Sequence, residues 1–172
     1  MPNFRTFVKE RDLQTPFSII GDISRRSIIK YHNMLDLKSS KINYKPNLNL
    51  IQCNNVQWVD GNDLFEVLED KFTGEKFDCV LKKFGKFQLG LENVVYIKVE
   101  LPQKIKEARI DAFKRIKYIG SETEHDITNT PHIEIARFKG DVPTLPSFEP
   151  ETISIHTLRF IYQGKEDLEK TF

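Results

Sequence analysis

The chain has 172 residues, which is enough for one domain with a sizeable core. Its 26 Lys and Arg residues balance 25 Asp and Glu residues to a net charge of +1, so any nucleic-acid contact must come from a local basic patch. The two cysteines, outside any C-x-x-C or Cys/His cluster, argue against a disulfide scaffold and against structural zinc. No apolar run approaches the ~18 residues of a membrane span, and the charged N-terminus is unlike a secretory signal. The sequence therefore predicts a soluble intracellular protein.

The first 27 residues are predicted to be an irregular extension that packs on the following domain, since Pro2 and Pro16 interrupt any regular element. Asp22 to Ser24 then offer caps for a helix over Arg25 to Leu37. A polar connector over residues 39–47 follows this helix.

The stretch 48–84 predicts three successive antiparallel strands. These runs are 48–59, 64–72 and 76–84. Gly61 and Gly74, in the loops between them, can take the positive φ that tight hairpins require. Apolar and polar side chains alternate within the runs, which indicates a half-buried sheet.

A fourth strand is predicted over Asn93 to Leu101, where Val95, Ile97 and Val99 face one way and Pro102 ends the run. Arg109 to Ile119 fits either a strand or a helix, and a strand is preferred because the fourth strand needs a partner. Five strands with two tight hairpins are typical of a small closed barrel. The predicted fold class is therefore all-β with flanking helices, a five-stranded Greek-key barrel of the oligonucleotide/oligosaccharide-binding (OB) type.

After the barrel, Thr130-Pro131 predicts the start of a short helix over His132 to Lys139, because Thr is a good N-cap and Pro suits the first helical position. Pro143, Pro146 and Pro150 mark a linker before the apolar-rich run 152–162. The predicted organisation is an N-terminal extension (1–27), an OB-fold domain with its post-barrel helix (28–140) and a C-terminal extension (141–172).

The sequence carries no recognised catalytic motif: P-loop, G-x-G-x-x-G, G-x-S-x-G and H-E-x-x-H are all missing. The four histidines are far apart in sequence, so each is expected to be an ordinary surface or core residue, with proton transfer or metal binding as the alternative. Glu122, Glu124, His125 and Asp126 form the densest titratable cluster, most simply a solvated loop. The sequence therefore predicts a protein that is not an enzyme and needs neither cofactor nor metal.

Two basic stretches with interleaved aromatic residues, 82–87 (KKFGKF) and 113–118 (FKRIKY), are candidates for a single-strand groove. Lysines neutralise phosphates there while rings stack on bases; the alternative is a strand with Phe inward and Lys outward. Trp58 is either a core residue or a stacking platform. The candidate nucleic-acid-binding residues are Trp58, Lys82, Lys83, Phe84, Lys86, Lys114 and Arg115.

Six segments, taken in order, resemble one known family. They are YHNMLDLKSS (31–40), IQCNNVQW (51–58), FEVLEDKFTGEKFDCVL (65–81), NVVYIKV (93–99), RIDAFKRIKYI (109–119) and PHIEIARF (131–138). In this order they resemble the N-terminal OB domain of the Stn subunit of the CST telomere complex, which is related to the middle subunit of replication protein A.

The resemblance implies a binding subunit that forms a heterodimer with a small Ten-like OB-fold subunit, beside a large Ctc/Cdc-thirteen-like subunit. The complex would bind single-stranded telomeric DNA, cap telomeres and support C-strand synthesis by DNA polymerase alpha-primase, which implies a location in the nucleus at the chromosome telomere. The residues that would contact the Ten-like partner are Ile133, Ile135, Ala136, Arg137 and Phe138. A short helix that is apolar around much of its surface must be covered by something, which is either this partner or the open end of its own barrel.

Two other functions stay open at this point. One is a free-standing single-stranded-DNA-binding OB protein of a phage or mobile element. The other is a small metal-dependent hydrolase or nuclease that uses the carboxylates of Glu122, Glu124 and Asp126.

Overall fold

The computed structural model describes residues 14–38, 40–43, 45–57, 72, 76–116, 130–162 and 165–171. Within these ranges the chain forms one antiparallel sheet and two helices. The strands are β1 Gln14–Asp22, β2 Ser40–Ile42, β3 Asn47–Gln57, β4 Phe77–Leu89, β5 Glu92–Glu100, β6 His132–Lys139, β7 Glu151–Ile155, β8 Thr157–Tyr162 and β9 Lys165–Thr171. The helices are α1 Arg25–Asn33 and α2 Gln103–Ile116.

The sheet has two halves that meet at a central pair of strands. The spatial order is β7-β4-β5-β6-β3-β1-β8-β9, with β2 paired to β6, so three further strands lie outside β6 and three outside β3. In each half the chain runs from an outer strand through a helix to the adjacent central strand. The first half has the order β1-α1-β3, with the short β2 between α1 and β3, and the second half has the order β5-α2-β6. The two halves therefore repeat one pattern about the junction of β3 and β6.

Local sequence patterns explain the individual elements. In β5, Val95, Ile97 and Val99 are buried while Lys98 and Glu100 are exposed, which is the alternation of a strand with one buried face. The turn between β4 and β5 uses Gly90 at a φ of 62°, a left-handed conformation that favours glycine.

Helix α2 begins just after Pro102 and buries one face against the sheet. Its buried positions Ile105, Ala108 and Ala112 recur at the spacing of three and four residues that places side chains on a single helix face. The same rule places Ile28 and Tyr31 of α1 in the core. No helix among the described residues is long and apolar enough to span a membrane.

One hydrophobic core joins both helices to the sheet. The segment between β6 and β7 packs against this core through partly buried apolar side chains. Phe148 of that segment packs against Tyr31 at 4.7 Å and against Phe84 at 5.2 Å between ring centroids. The proline-marked stretch is thus packed onto the core by an aromatic contact. The predicted division of the chain into three parts stays a prediction. The two expected extensions contain all or part of β1 and of β7 to β9, and these strands pair within the same sheet as the rest.

The predicted five-stranded OB barrel is wrong. The chain forms an open antiparallel sheet in which β3 pairs with β1 and β6, and β4 pairs with β5 and β7. The period-two pattern that predicted strands is the same for any antiparallel sheet, because it reports which face is buried and not which strand lies alongside.

Two element assignments are also wrong. The segment 109–119 is predicted as a fifth strand, but its described part belongs to helix α2. The predicted post-barrel helix over His132 to Lys139 is the central strand β6. Most of β6 is buried on both faces, and such a strand lacks the alternation that distinguishes a strand from a helix. The predicted strand 64–72 lies outside the described residues, apart from the buried Phe72.

Candidate active site

The two halves of the sheet meet at a short junction with a polar pair on it. Only Leu48 with Ile133, and Asn49 with His132, are paired between β3 and β6 among the described residues. The Nδ2 atom of Asn49 lies 3.3 Å from Nε2 of His132. Equivalent positions of the two central strands thus hold an imidazole and an amide in direct contact.

The His132 ring is buried, with 3% of its surface exposed, and its protonation follows from its neighbours. Nδ1 lies 2.5 Å from the backbone oxygen of Thr130, which can only accept, so Nδ1 carries the proton. Burial lowers the pKa of His132, the Thr130 contact and the Glu134 carboxylate raise it, and the Arg109 charge lowers it further. The ring is therefore neutral near pH 7, with Nε2 as an acceptor for the Asn49 amide.

Arg109 of α2 is buried beside this pair and is anchored to the strand that carries Asn49. Its Nε donates a 2.7 Å hydrogen bond to the backbone oxygen of Leu50. That oxygen is available because the register of β1 with β3 shifts between Ile19 and Ile20, which leaves Leu50 as an extra residue in β3. A bulge in the central strand thus fixes a permanent positive charge near the imidazole.

A polar row crosses four strands on the face that carries His132. Residues directly opposite one another on neighbouring strands point to the same face. The row, in order from β4 through β5 and β6 to β3, is Lys83, Lys98, His132 and Asn49.

The two lysines of this row are exposed and face each other across β4 and β5. Like charges directly opposite in a sheet are destabilising. No carboxylate of the described residues forms an ion pair with Lys83 or Lys98. The arrangement favours an anion beside His132.

A cavity of about 710 Å³ opens next to the row, between β4, β5 and the first turns of α2. Its wall includes Thr130 and Pro131, which immediately precede His132. The charged residues that line it, among those the structure describes, are Lys82, Lys83, Lys98, Glu100, Lys106 and Arg109. This excess of cationic side chains over carboxylates in the described lining favours an anionic ligand.

Aromatic side chains support His132 from the same face. The Tyr96 ring lies 5.5 Å from the His132 ring at 71°, and the Phe87 ring 5.8 Å away at 84°. Gly85, directly opposite Tyr96, leaves room for this packing, because a Cβ there would lie 2.5 Å from Cζ of Tyr96. The imidazole is therefore held by ring contacts as well as by its hydrogen bonds.

The candidate nucleic-acid-binding residues are separated by the structure. Lys82 and Lys83 line the cavity, whereas Phe84 is buried in the core and Lys86 is exposed further along β4. Lys114 and Arg115 lie on the α2 backbone, and their side chains, like all of Trp58, lie outside the described residues. Their role in binding nucleic acid stays a prediction.

The candidate partner-binding residues all lie on β6. Ile133, Ile135 and Ala136 are fully buried, and Phe138 is 2% exposed. Arg137 is paired with Glu134 at 2.5 Å. The four apolar side chains are covered by this chain itself, so the exposed apolar helix face that a Ten-like partner was expected to cover does not exist.

Sequence reasoning missed Asn49, Lys98, Arg109 and His132 as site residues. A signal for the central pair was present: Leu48-Asn49-Leu50 and Pro131-His132-Ile133 each place one polar residue between apolar ones at the start of a buried strand. Only the pairing of β3 with β6 brings the two segments together. The Glu122, Glu124 and Asp126 cluster lies outside the described residues.

No protein-family profile matches the chain, and no curated protein matches it in sequence. Solved structures do share its fold. The TT0787 protein of Thermus thermophilus is 14% identical, covers 91% of this chain and 97% of its own, with a TM-score of 0.65. E. coli LigT complexed with 3′-AMP is 14% identical, covering 93% of this chain and 96% of its own, with a TM-score of 0.61. A structure described as a phosphoesterase is 12% identical, covering 92% and 98%, with a TM-score of 0.64.

These likenesses establish the fold and overturn the expected identity. The matched structures are LigT-like 2H phosphoesterases and not OB-fold subunits, so the resemblance to the Stn subunit and to replication protein A is wrong. The function and the partners that this resemblance implied are therefore also wrong. They are the telomeric function, the Ten-like and Ctc/Cdc-thirteen-like subunits, telomeric DNA and polymerase alpha-primase. The alternative of a free-standing single-stranded-DNA-binding OB protein is not supported either.

The prediction that the chain is not an enzyme is also wrong, because the structures that share its fold include LigT and a protein described as a phosphoesterase. That prediction came from the missing linear motifs, whereas the residues of this site come from separate strands. The nuclear location stays a prediction.

Proposed function

We propose that this chain is a phosphoesterase that binds a phosphodiester of the nucleotide type and cleaves it with His132 as the proton-transfer group. The single observation that carries the proposal is a buried neutral imidazole that contacts an amide and lies directly opposite Lys98, whose side chain lines a cationic cavity. Structures of the same fold support it, since E. coli LigT has been crystallised with 3′-AMP, phosphate, ATP and NADP+.

In this site the phosphate group lies between Lys98 and Asn49. The ammonium of Lys98 and the amide of Asn49 donate hydrogen bonds to the non-bridging oxygens, and the charges of Lys98 and Arg109 stabilise the negative charge that develops on them. In the structure Asn49 Nδ2 contacts His132 Nε2. When the phosphate binds, the Asn49 amide donates to a phosphate oxygen instead, so Nε2 is free to accept a proton from the attacking group.

His132 then serves first as base and second as acid. Nε2 accepts the proton of an attacking hydroxyl or water as the new P–O bond forms, and the ester P–O bond breaks. The resulting imidazolium returns the proton to the leaving oxygen. The Thr130 carbonyl, which accepts from Nδ1, stabilises the imidazolium and keeps Nε2 aimed at the phosphate.

The test compares His132→Gln with wild type on a panel of linear and cyclic nucleotide phosphodiesters. We expect His132→Gln to lower kcat by about 10²- to 10⁴-fold, the range for loss of a general acid–base group, with little change in KM. The matched control is His156→Gln, an exposed histidine in the turn between β7 and β8, which should retain full activity. Unchanged turnover in His132→Gln, or tight binding of nucleotides by wild type with no turnover of any of them, would contradict the proposal.

A further inference from the structure

The cavity beside His132 is larger and more cationic than one phosphate requires. Its volume of about 710 Å³ lies within the range of small-molecule sites. Lys98 and Asn49 are enough to hold the reacting group. Three further lysines line the same wall, namely Lys82, Lys83 and Lys106.

A bulge in β4 directs two successive lysines into this cavity. Leu81 pairs with Val99 and Lys83 pairs with Lys98, so Lys82 is an extra residue in β4. In a regular strand successive side chains point to opposite faces, whereas a bulge changes the direction of a side chain. Both Lys82 and Lys83 line the cavity as a result.

Lysines from two different elements converge on one point of the wall. The Nζ atom of Lys82 on β4 lies 3.1 Å from the Glu100 carboxylate, and that of Lys106 on α2 lies 4.0 Å from it. The two lysines hold the pKa of Glu100 below its ordinary value. All three side chains are more than two-fifths exposed, so this contact is weak and readily exchanged. The Glu100 carboxylate therefore marks the position at which Lys82 and Lys106 bind a negatively charged group.

The spacing of the two anion positions sets the size of the ligand. Lys83 lies two strands away from His132 along the polar row, a distance of about 10 Å between backbones. This separation leaves room for a second phosphate to lie near Lys82, Lys83 and Lys106 while the first lies beside His132.

We infer that Lys82, Lys83 and Lys106 form a second phosphate subsite, so that the preferred substrate carries a second phosphate beyond the one that reacts. This inference rests on the proposed function for its reacting phosphate. The second phosphate comes either from the next internucleotide linkage of an oligonucleotide or from a terminal phosphate on a shorter one. Arg109, whose Nε is committed to Leu50, adds positive charge to the same wall.

The experiment compares three substrates with the same reacting linkage: a dinucleoside monophosphate, the same compound with a terminal phosphate, and a trinucleotide with a second internucleotide phosphate. For wild type we expect kcat/KM to rise about tenfold with the second phosphate, the size of one charge-assisted contact, and this gain to shrink as salt increases. A larger gain for the terminally phosphorylated compound would show that the subsite binds a terminal phosphate. A larger gain for the trinucleotide would show that it binds the next internucleotide phosphate of an oligonucleotide.

The variant Lys82→Gln with Lys106→Gln should lose this gain and keep wild-type kcat/KM on the dinucleoside monophosphate. The matched control is Lys86→Gln with Lys104→Gln, which removes one exposed lysine from each of the same elements outside the cavity and should keep the gain. A gain that survives in the Lys82 and Lys106 variant, or that is absent from wild type, overturns the subsite.

Failure of the subsite is distinguishable from failure of the catalytic proposal. The dissociation constants of the three compounds are measured on His132→Gln, with and without the two lysine substitutions. A loss of affinity confined to the two-phosphate compounds supports the subsite even where no turnover is found. Equal affinity for all three compounds overturns it even where His132 proves catalytic.

Discussion

At the scale of single residues, the site depends on an asymmetry between two equivalent positions. His132 and Asn49 occupy paired positions of the two central strands, yet only the histidine can change its charge near neutral pH. Asn49 donates to Nε2 and so favours the neutral ring, in the same direction as burial and Arg109. The proposed reaction therefore has one titrating group that serves in both proton transfers.

The first prediction concerns the pH dependence of turnover. Because the base form of His132 is required first and its pKa is lowered, kcat/KM should be flat through neutral pH and fall only below the ordinary histidine value of about 6.5. Asn49→Asp places a carboxylate against Nε2, which favours the imidazolium and should move this acid limb upward by about one pH unit or more.

The control for that prediction is Asn93→Asp, because Asn93 makes a comparable side-chain contact, 2.7 Å to the Gly140 oxygen, away from the site. It should leave the pH profile of kcat/KM unchanged. An acid limb at the same pH in Asn49→Asp and in wild type would show that His132 does not control the profile.

At the scale of elements, bulges and one glycine give the sheet its functional shape. The bulge at Leu50 frees an oxygen for Arg109, and the bulge at Lys82 directs two lysines into the cavity. Gly85 gives Tyr96 the room to reach His132. Each irregularity in strand geometry therefore has a consequence for the site.

Gly85→Ala is predicted to disturb the site through Tyr96. The new Cβ would lie 2.5 Å from Cζ of Tyr96, so the ring must move away from His132 and Phe87, at a cost of about 1–3 kcal/mol in the free energy of unfolding. Urea denaturation measures this cost, and kcat should fall with it because His132 loses a packing partner.

A double variant separates this clash from any backbone effect of the alanine. Tyr96→Leu removes the ring atoms that the new Cβ would meet. The combined variant should be more stable than the sum of the single costs predicts. Strict additivity would show that the ring is not the obstacle.

Local patterns predicted several of these elements and not their arrangement. The strand predicted over 93–101 is confirmed as β5, Glu92–Glu100, and the helix predicted from Arg25 is confirmed as α1, although it ends at Asn33. Both depend on contacts between near neighbours in sequence. The site depends on β3 beside β6, and neither the burial pattern of Leu48 to Ile51 nor that of Ile133 to Ala136 specifies this partner.

At the scale of the whole molecule, two buried imidazoles link stability to pH. Burial lowers the pKa of both His32 and His132 in the folded chain. In the unfolded chain the same groups take up protons at about pH 6.5. Between these values the unfolded state binds more protons, so the free energy of unfolding rises with pH.

We therefore expect this stability to be complete above about pH 6.5 and to be lost as the pH falls through the folded-state values. Urea denaturation at about pH 7.5 and about pH 5.5 measures the difference. His132→Gln should reduce the pH dependence, whereas His156→Gln, at an exposed position, should keep it. Equal stability of wild type at the two pH values would mean that neither buried ring is held neutral by the fold.

The contact between Asn49 and His132 joins positions 83 residues apart in the chain. Contacts between such distant residues form only after the long loop between them has been closed, which makes them late events in folding. During refolding, helix and hairpin signals should therefore recover before the proposed phosphoesterase activity does. The capacity to cleave a substrate would then mark the moment at which the two halves of the molecule dock.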